Sequence, residues 1–380
     1  PHQFVALYVG RRRSVYEAAV LSLRTQAVDH EADAILKSFI KAEKVPGALF
    51  KDPPPRLIQP RDPRYNVEVG VFLKLLEKKV YAAIARVFGE VTVLKGYNAA
   101  GTGGVIASKW FRYRDPVGVG LDASRFDQHV SAEALAVEHS IYLSCFRGGD
   151  RSVLNRLLQW QVANRGRVFV PDGKIQYRTH GCRMSGDMNT AMGNCLLMCA
   201  LVHAYLESCG VTASLCNNGD DCLLICERRD YDQLVGGGRL TAWFLEMGFT
   251  MKVEDPVFEL EQCEFCQAKP VMVDGTYVMC RDPRKALAKD THSVLPLTQG
   301  RMAYGYCTAI ADCGLALTSG IPIFQEFYLF LRRLGKGVRL GQHPGMESGF
   351  LNLSKGMSED PRQVSPSTRF SFWKAFNVTP

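Results

Sequence analysis

The sequence lacks a long hydrophobic run, a secretory signal and an internal repeat. Its longest apolar stretch, Cys195 to Leu206, is interrupted by His203 and is shorter than the roughly 20 residues that cross a bilayer. We therefore expect no transmembrane segment in this sequence, and any membrane anchor would lie outside it. The chain begins at Pro1 instead of methionine, so we expect it to be a fragment or a processed piece of a longer protein.

Regular cysteine spacing is also absent, although 13 cysteines occur. Those inside apolar runs include Cys195, Cys199, Cys222 and Cys226. Such placement is typical of reduced, buried thiols in a cytosolic protein. One Cys-x-x-Cys pair occurs, Cys263 and Cys266, and Cys280 and His292 follow it. A lone pair lacks its partner ligands, so strand-core cysteines are favoured, and a zinc site stays the less favoured alternative.

Positive charge is unevenly distributed along the 380 residues. Residues 1–115 carry 19 Lys and Arg against 11 Asp and Glu, and the remaining residues carry 27 of each, so the net charge of +8 is entirely N-terminal. The basic part of this region contains Lys37, Lys41, Lys44, Lys51, Arg56, Arg61 and Arg64. This asymmetry indicates a polyanion partner, either a nucleic-acid backbone or nucleotide phosphates. A solvated helix face with compensated charge is the alternative.

Two adjacent carboxylates are predicted at the tip of a β-hairpin. The run Asn218-Gly219-Asp220-Asp221 lies between the apolar segments Thr212 to Cys216 and Cys222 to Cys226. Asn-Gly between apolar segments is the strongest short-range hairpin signal, and carboxylates at such a tip can hold a divalent cation. Taken alone, the pattern also fits a solvated acidic turn.

A second acidic segment lies upstream of this hairpin. Asp122 closes the apolar run Val117 to Leu121, and Asp127 follows five residues later. Two apolar strands that each end in aspartate can bring their carboxylates to one point, and two-metal phosphoryl transfer needs several carboxylates around cations about 4 Å apart. The two segments together predict nucleotidyl transfer. An ordinary strand-ending turn is the alternative for Asp122.

The chain is 47% hydrophobic, which predicts a globular protein with a sizeable core. Helical spacing, mixed in the first segment, is found at residues 32–44, 66–88, 132–146, 153–162, 187–208, 231–247 and 284–334. Hairpins are predicted at 168–177 and 273–276, a proline-stiffened basic loop after Lys44, and a loop or tail packed by aromatics at 341–380. Strands and helices interleave without regular βαβ alternation, which favours an α+β fold.

The order of these segments resembles the RNA-directed RNA polymerases of positive-strand RNA viruses, and within them the plant tombusvirus family. The resemblance runs from Tyr8-x-Gly-Arg-Arg-Arg13 to the region of Cys280 and contains five motifs in the family's order. Gly-Leu-Asp122-Ala-Ser-Arg-Phe-Asp127 resembles the first catalytic motif. It implies that Asp122 binds two magnesium ions and that Asp127 senses the ribose of the incoming nucleotide.

For the hairpin, the resemblance implies that Asp220 is an essential metal ligand and that Asp221 supports the site more weakly. The implied cofactor is Mg²⁺, with Mn²⁺ as an alternative. Mg²⁺ is a hard, octahedral ion that prefers carboxylate, phosphate and water oxygens, which fits aspartates. Asp122 and Asp220 would supply the protein share of these ligands.

Residues 185–194, Ser-Gly-Asp-Met-Asn-Thr-Ala-Met-Gly-Asn, resemble the second motif, in which a glycine loop feeds a helix. The resemblance implies that Ser185, Thr190 and Asn194 bind nucleotide. Thr190 and Asn194 are four residues apart and share one helical face, so both can reach the same ribose. Asp127 accepting and Asn194 donating around a 2′-hydroxyl would separate ribonucleotides from deoxyribonucleotides. Helix capping and packing is the alternative.

The basic loop, Lys41-Ala-Glu-Lys44 and then Pro-Arg56-Leu-Ile, resembles the motif through which nucleotides reach the site. The resemblance implies that Arg56 first, then Lys44, together with Lys41, cradles the triphosphate. Charge neutralisation on the leaving pyrophosphate favours phosphoryl transfer, and the guanidinium fork suits phosphate oxygens. Arg61 and Arg64 are instead expected to contact the template backbone.

Two further assignments follow from the resemblance alone. Lys252, in Gly-Phe-Thr-Met-Lys-Val, lies where related polymerases place a lysine that protonates the leaving pyrophosphate, with an ordinary surface lysine as the alternative. Phe265-Cys266 resembles a primer-gripping hairpin, so Cys266 is expected to contact RNA, as is Gly186 of the second motif.

The resemblance implies a right-hand polymerase with fingers at 1–115, a palm of antiparallel sheet and helices at 116–283, and a mostly helical thumb at 284–340. Residues near 150–182 would be a fingers insertion in the palm, and 341–380 a C-terminal extension. The implied partners are RNA template and product, ribonucleoside triphosphates, and a co-encoded viral replication protein that supplies membrane anchoring. The implied location is the host cytoplasm, at membrane-associated replication complexes.

Two other functions share part of this pattern. A reverse transcriptase, or another two-metal nucleotidyltransferase, has the same paired-aspartate hairpin. Asp127 with Asn194, and the absence of an aromatic residue immediately before Asp220-Asp221, favour a ribose. A non-catalytic RNA-binding replication scaffold would use only the basic surface, and the presence of Asp122, Asp220 and Arg56 disfavours it.

Overall fold

The computed structural model describes residues 1–44, 54–170, 172–294, 297, 300–340 and 349–379. The α-helices in these ranges are α1 (His2–Val5), α2 (Gly10–Thr25), α3 (His30–Asp33), α4 (Pro63–Phe88), α5 (Ala99–Trp110), α6 (Phe126–His129), α7 (Ala132–Ser144), α8 (Gly148–Gln159), α9 (Thr190–Cys209), α10 (Tyr231–Val235), α11 (Arg239–Glu246), α12 (Pro283–Asp290), α13 (Gly300–Thr318), α14 (Phe324–Gly335), α15 (Phe350–Ser354) and α16 (Pro366–Phe376). The strands are β1 (Leu36–Ile40), β2 (Leu57–Ile58), β3 (Pro116–Ala123), β4 (Ala163–Val170), β5 (Gly173–His180), β6 (Ala213–Asn217), β7 (Asp221–Glu227), β8 (Met251–Val253), β9 (Ala268–Val273) and β10 (Thr276–Arg281).

These strands form two four-stranded sheets and a hairpin. The catalytic sheet, so named for the aspartates at its edge, has the order β6-β7-β3-β8 and is antiparallel throughout. The second sheet has the order β2-β1-β4-β5, and its only parallel pair in the described residues is β1 with β4. Strands β9 and β10 pair with each other. The mixture of helices with mainly antiparallel sheets confirms the predicted α+β class.

The central strand β3 alternates between apolar side chains and glycine along Val117–Leu121. Its apolar side chains are buried in the larger core, which α4, α7 and α9 also line. The glycines face the other way and leave room for close neighbours. A side chain at Gly118 would meet Cys263, and one at Gly120 would meet the Glu254 carboxylate. The sheet therefore carries helices on one face and the β9–β10 layer with α5 on the other.

Helix α9 is the buried helix behind the catalytic sheet, and it ends at Gly210, whose φ is +67°. Among the described residues it is the one helix long and apolar enough to cross a membrane. Of its most apolar window, 56% is buried inside the protein, as in a core helix, so its composition is weak evidence for a membrane span.

Most of the predicted elements are present. Helix α4 begins where Asp62 accepts a hydrogen bond from the Arg64 amide, and it ends at Gly89 in the left-handed conformation. The predicted hairpins at 168–177 and 273–276 are β4–β5 and β9–β10, and the glycine-rich break within 231–247 separates α10 from α11.

Three predictions of local structure are wrong. The 32–44 segment contains strand β1 instead of a helix, because it pairs with β2 and β4. Gly148 begins α8, five residues before the helical spacing predicted at 153–162. The C-terminal segment is not only loop, because α16 forms and buries Phe372 against β9 and the core around it. Residues 45–53 of the basic loop, the hairpin residue at 171 and residues 341–348 lie outside the described residues.

Candidate active site

The turn between β6 and β7 presents the two adjacent aspartates. Gly219 and Asp220 form its tip, and the Asn218 amide donates a hydrogen bond to the Asp221 carbonyl across 2.9 Å. Gly219 has a φ of +94°, which glycine adopts without strain and other residues rarely do. This explains locally why the sequence turns here and why Asp220 lies at the edge of the sheet.

Side chains on both sides brace this turn. The Asn217 amide group donates from Nδ2 to the Gly219 carbonyl at 2.7 Å, and the Gly219 N–H donates back to Asn217 Oδ1 at 3.1 Å. Lys95 Nζ donates to Asn218 Oδ1 at 2.8 Å. Asn218 Nδ2 in turn lies 2.9 Å from the Cys266 sulfur. The position of the turn is therefore fixed before any ligand binds, and Lys95 was not identified from the sequence.

Strand pairing brings the two acidic segments together as predicted. Asp122 and Asp221 are directly opposed Cα partners at the end of β3 and the start of β7. Opposed residues in an antiparallel pair share one face of the sheet. Asp221 keeps exposed surface, but the packed turn removes much of its hydration and raises its pKa, and the charges of Asp220 and Asp122 raise it further. The three carboxylates thus lie close enough to repel one another.

Strand β8 and the residue that follows it add one positively and one negatively charged side chain. Lys252 on β8 is the Cα partner of Asp122 on its other side, and its side chain is exposed. Glu254 follows two residues later, above the space left by Gly120. Burial raises the pKa of Glu254, as does the charge of Glu264, whereas Lys252 lowers it. Sequence reasoning missed Glu254, and the only available signal was its spacing of two from Lys252.

Asp127 and Asn194 are joined directly. Asn194 Nδ2 donates to Asp127 Oδ1 at 2.7 Å, and Arg183 Nε donates to Asn194 Oδ1 at 3.0 Å. Burial raises the pKa of Asp127, while the hydrogen bond from Asn194 lowers it. The charge of Asp220 also raises that pKa, which relates Asp127 electrostatically to the turn that carries Asp220. Sequence reasoning paired Asp127 with Asn194 but missed Arg183.

Arg183 belongs to a buried polar network beneath this pair. Its guanidinium forms a bidentate ion pair with the Glu138 carboxylate, in which the distance from Nη1 to Oε1 is 3.1 Å. Asn189 Nδ2 also donates to Glu138 at 2.8 Å, and its Oδ1 accepts from Gln161 at 2.9 Å. His139 is buried beside the network, and among the residues that the structure describes neither of its ring nitrogens has a hydrogen-bond partner; burial lowers its pKa.

The loop before α9 is held by contacts with residues 57–60. Ser185 Oγ donates to the Leu57 carbonyl at 3.3 Å, and Thr190 Oγ1 donates to the Met184 carbonyl at 2.8 Å. A side chain at Gly186 would come within 2.6 Å of the Pro60 backbone. Close packing against Pro60 therefore requires a glycine at position 186. This packing accounts for the glycine, and the predicted RNA contact is not needed to explain it.

The template contacts predicted for Arg61 and Arg64 are disfavoured by the partners that both side chains have within the protein. Arg61 is only 3% exposed and donates from Nε to Asp187 Oδ1 at 2.5 Å, with further bonds from its terminal nitrogens to backbone and Asn164. Arg64 binds Asp33 at 3.1 Å and donates to residues of the α2 C-terminal turn. Both guanidiniums are held by partners within the protein. That of Arg61 is enclosed, whereas Arg64 is half-buried and keeps some exposed surface.

The three predicted phosphate-binding cations have different environments. Arg56 and Lys41 are largely exposed and share Glu43, at 3.2 Å and 3.0 Å. Lys44 instead donates to the Lys289 carbonyl at 2.8 Å and to the Tyr306 hydroxyl at 2.9 Å. Burial lowers the pKa of Lys44. Its ammonium is thus tied to α12 and α13, unlike the other two.

Cysteine and metal predictions have mixed outcomes. All 13 cysteines are free thiols, in agreement with the reduced state expected. Cys263 and Cys280 are buried in the core, and the His292 ring is engaged with the Ala288 carbonyl at 2.7 Å. Within the described ranges no three His, Cys, Asp or Glu side chains are grouped closely enough to hold an ion, and this includes Asp122, Asp220 and Asp221. Cys266 lies beside Asn218 and Asp221.

A mixed α+β fold with opposed aspartates at neighbouring strand ends is the arrangement expected of the nucleotidyltransferase class. A family model described as viral RNA dependent RNA polymerase matches residues 1–380. The chain therefore belongs to the viral RNA-dependent RNA polymerase family, and the resemblance noted in the sequence is confirmed.

Individual relatives agree with this assignment. The chain is 45% identical over 378 residues to the RNA-directed RNA polymerase of Cymbidium ringspot virus, covering 99% of this chain and 45% of the relative. It is 45% identical over 380 residues to that of Cucumber necrosis virus, covering 99% and 45%. It is 42% identical over 383 residues to that of Turnip crinkle virus, covering 100% and 48%. The chain thus spans about half the length of these relatives.

Proposed function

We propose that this chain carries the catalytic activity of an RNA-directed RNA polymerase of a positive-strand plant virus. It would add ribonucleotides to an RNA 3′ end under the direction of an RNA template. The observation that carries the proposal is the register of β3 and β7, in which Asp122 and Asp221 are opposed beside the Asp220 turn. Family membership over the whole chain supports the same conclusion.

The carboxylates fit divalent cations by their chemistry. Asp122 and Asp220 would hold Mg²⁺, or Mn²⁺ in its place, and Asp221 would support the site, because these hard ions prefer oxygen ligands. Burial raises the pKa of Asp221, and the charges of Asp220 and Asp122 raise it further; a bound cation would relieve the repulsion between these charges. When bound, the ions supply Lewis-acid stabilisation of charge on the transferring phosphoryl group.

In the reaction, the RNA 3′-hydroxyl oxygen forms a bond to the α-phosphorus of the nucleotide, and the bond to the β-phosphate oxygen breaks. The hydroxyl releases its proton to solvent water, and pyrophosphate leaves with the electron pair of the broken bond. Lys252, beside Asp122 on β8, is the candidate proton donor to this leaving group. Such a general acid contributes roughly 10²- to 10⁴-fold to rate.

Nucleotide selection would use the Asp127–Asn194 pair. The Asp127 carboxylate can accept a hydrogen bond and the Asn194 amide can donate one. A 2′-hydroxyl can form both bonds, because it is both a donor and an acceptor. A ribose would insert its hydroxyl between partners that already lie 2.7 Å apart, so the pair must open or rotate as the nucleotide binds. Ser185 of the preceding loop and Thr190, the first residue of α9, would line the same side of the nucleotide.

The triphosphate would be met by Arg56 and Lys41. Both are exposed and share one carboxylate, Glu43, which leaves excess positive charge for phosphate oxygens. Lys44 would join them only after releasing Lys289 and Tyr306. Cys266 adjoins the aspartate turn, where a primer strand would end, and Gly186 would approach RNA only through its backbone.

The proposed layout follows the right-hand polymerase plan. Residues 1–115 with an insertion near 150–182 would form the fingers, 116–283 the palm, 284–340 the thumb and 341–380 a C-terminal extension. The antiparallel catalytic sheet, and the helices α12 to α14 that follow it, support this division. RNA, ribonucleoside triphosphates and a co-encoded membrane-anchoring replication protein would be the partners, at membrane-associated complexes in the host cytoplasm.

Primer extension tests the proposal against its alternatives. The full chain is given polyadenylate template, oligouridylate primer, Mg²⁺ and labelled UTP or dUTP. We expect incorporation of UTP in strong preference to dUTP. Equal use of dUTP would identify a reverse transcriptase or another nucleotidyltransferase. RNA binding without incorporation of either nucleotide would identify a non-catalytic scaffold, and would overturn the proposal.

A further inference from the structure

A second cationic surface lies on the sheet that does not carry the catalytic aspartates. In the β2-β1-β4-β5 sheet, alternate side chains of β1 and β4 point to solvent while most of their neighbours are buried or half-buried. Strand β5, at the edge of the sheet, is exposed along most of its length. We name this solvent side the basic-aromatic face. Its members are Lys37, Phe39, Arg165, Arg167, Phe169, Lys174, Gln176 and Arg178.

Two phenylalanines stand next to each other at its centre. β1 and β4 are the two middle strands, and Ser38 is paired with Val168, which places Phe39 beside Phe169 one residue further along. Phe39 is 51% exposed and Phe169 is 74% exposed. Two large aromatic rings held in water on adjacent central strands cost hydration free energy, which a ligand that stacks on them would recover.

The strand pairing places the basic side chains of the face around these two rings. Arg165 is paired with Arg178, and Phe169 with Lys174, so the side chains of each pair share the face. Lys37 is the Cα partner of Arg167 on the other side of β4. Along each strand, side chains on this face are about 7 Å apart, because every second residue points to the same side.

Only part of this charge is neutralised within the protein. Lys37 pairs with Asp62, and Arg165 pairs with Glu31. Within the described part of the chain, no acidic side chain lies in ion-pair range of Arg167, Lys174 or Arg178. Three uncompensated cations around exposed rings favour a polyanion that also offers flat apolar surfaces.

The buried side of the sheet keeps the face rigid. The hydroxyl groups of Ser38 and Tyr177 hydrogen bond at 2.6 Å across β1 and β5, and the Tyr177 ring fills the space above Gly166. Leu36 and Val168 are buried on the same side. A rigid sheet presents its rings without a further loss of conformational entropy on binding, which favours affinity.

We propose that the basic-aromatic face binds single-stranded RNA, with bases stacked on Phe39 and Phe169 and phosphates on Arg167, Lys174 and Arg178. A charged groove combined with aromatic side chains is how sequence-tolerant single-strand binding is achieved. Bases can stack on protein rings only where they are not already paired, so a duplex is excluded from the central contact. The proposal concerns a surface apart from the aspartate turn and does not require that the chain catalyse.

Fluorescence anisotropy with a labelled oligouridylate of about 12 nucleotides tests it, without nucleotide or divalent cation. Phe169→Ala should weaken binding about tenfold, because one base no longer stacks on the ring. The double variant Arg167→Gln with Arg178→Gln should weaken binding and flatten its dependence on salt, by roughly 0.7 in logarithmic slope for each phosphate that is no longer neutralised. Matched controls are Phe370→Ala and Arg369→Gln, two exposed residues of α16, which packs on β9; they should bind like the parent chain.

Three outcomes would overturn the proposal. Affinity unchanged in the variants of the face would show that RNA does not use it. If the variants weaken the binding of a duplex as much as the binding of a single strand of the same length, the cations act without base stacking. A change in self-association of Phe169→Ala, by light scattering with RNA affinity unaltered, would identify an interface between copies instead. Thermal unfolding of each variant excludes loss of the fold, and primer extension reports separately on the proposed polymerase activity.

Discussion

Asn194 donates a hydrogen bond to Asp127 across 2.7 Å while its own carbonyl oxygen accepts from Arg183 at 3.0 Å. The amide is therefore fixed in one orientation, with its NH₂ toward the carboxylate, because a guanidinium can only donate. The residue that would distinguish the sugar of the nucleotide is thus oriented by a buried arginine that does not itself reach the nucleotide.

The first prediction concerns sugar selection. Asn194→Ala removes the donor beside Asp127, so the preference for UTP over dUTP, measured as the ratio of kcat/KM values, should fall about tenfold, or roughly 1.4 kcal/mol. Asn155→Ala, an exposed amide on α8, is the matched control and should keep the parent ratio. A ratio unaltered by Asn194→Ala would remove Asn194 from sugar recognition.

The second prediction concerns the buried ion pair between Arg183 and Glu138, which lies beneath Asn194. Arg183→Met leaves Glu138 as an unpaired buried carboxylate and should lower the free energy of unfolding by about 3–5 kcal/mol. Arg183→Met combined with Glu138→Leu removes both charges and should recover most of that loss. Urea unfolding measures both variants. A double variant no more stable than Arg183→Met would contradict the account of this pair.

The third prediction separates internal from exposed arginines. Arg61→Met should destabilise the fold by about 3–5 kcal/mol, because Asp187 loses its buried partner. Arg56→Gln should leave stability unchanged and raise the KM for UTP, because the Arg56 side chain is 70% exposed and contributes charge. Urea unfolding and steady-state kinetics check the pair. Normal stability in Arg61→Met would restore it as a candidate for RNA contact.

The fourth prediction concerns pH and metal. The folded chain raises the pKa of Asp221, so it binds that proton more readily than the unfolded chain does. Stability from this group is therefore lost as pH rises from the unfolded value, about 3.9, through the raised folded value. Without divalent cation, Asp221→Asn should have a higher Tm than the parent at neutral pH, and the difference should vanish below about pH 4.

Added Mg²⁺ should raise the Tm of the parent chain more than that of Asp221→Asn, because the cation relieves the repulsion that the variant has already removed. Asp172→Asn, an exposed turn residue, controls for the loss of one negative charge. A Tm of Asp221→Asn equal to that of Asp172→Asn at every pH would contradict the repulsion inferred among the three aspartates.

The local features of the site were predictable because they depend on neighbouring residues. The Asn-Gly turn, the apolar run that ends at Asp122 and the helical spacing of α4 each follow from a short window of sequence. The opposition of Asp122 and Asp221 also followed, since each ends or begins an apolar strand. The α+β class could be inferred from the absence of regular alternation between strands and helices.

Features that depend on distant partners were not predictable. Strand β1 was interpreted as helical because its pairing with β4 joins residues more than a hundred positions apart. Arg61 lies in a basic stretch and looked like a phosphate contact, but Asp187 and Asn164 enclose it. Arg183 and Glu138 are separated by 45 residues and show no local pattern that distinguishes a buried pair from two surface charges.

Replacement of Asp220 tests the central claim most directly. Single-nucleotide primer extension is compared between the parent chain, Asp220→Asn and Asp172→Asn, with circular dichroism and oligouridylate affinity measured on the same preparations. The account predicts that Asp220→Asn folds and binds RNA but incorporates UTP no faster than background, while Asp172→Asn matches the parent. Incorporation by Asp220→Asn at the parental rate would contradict it.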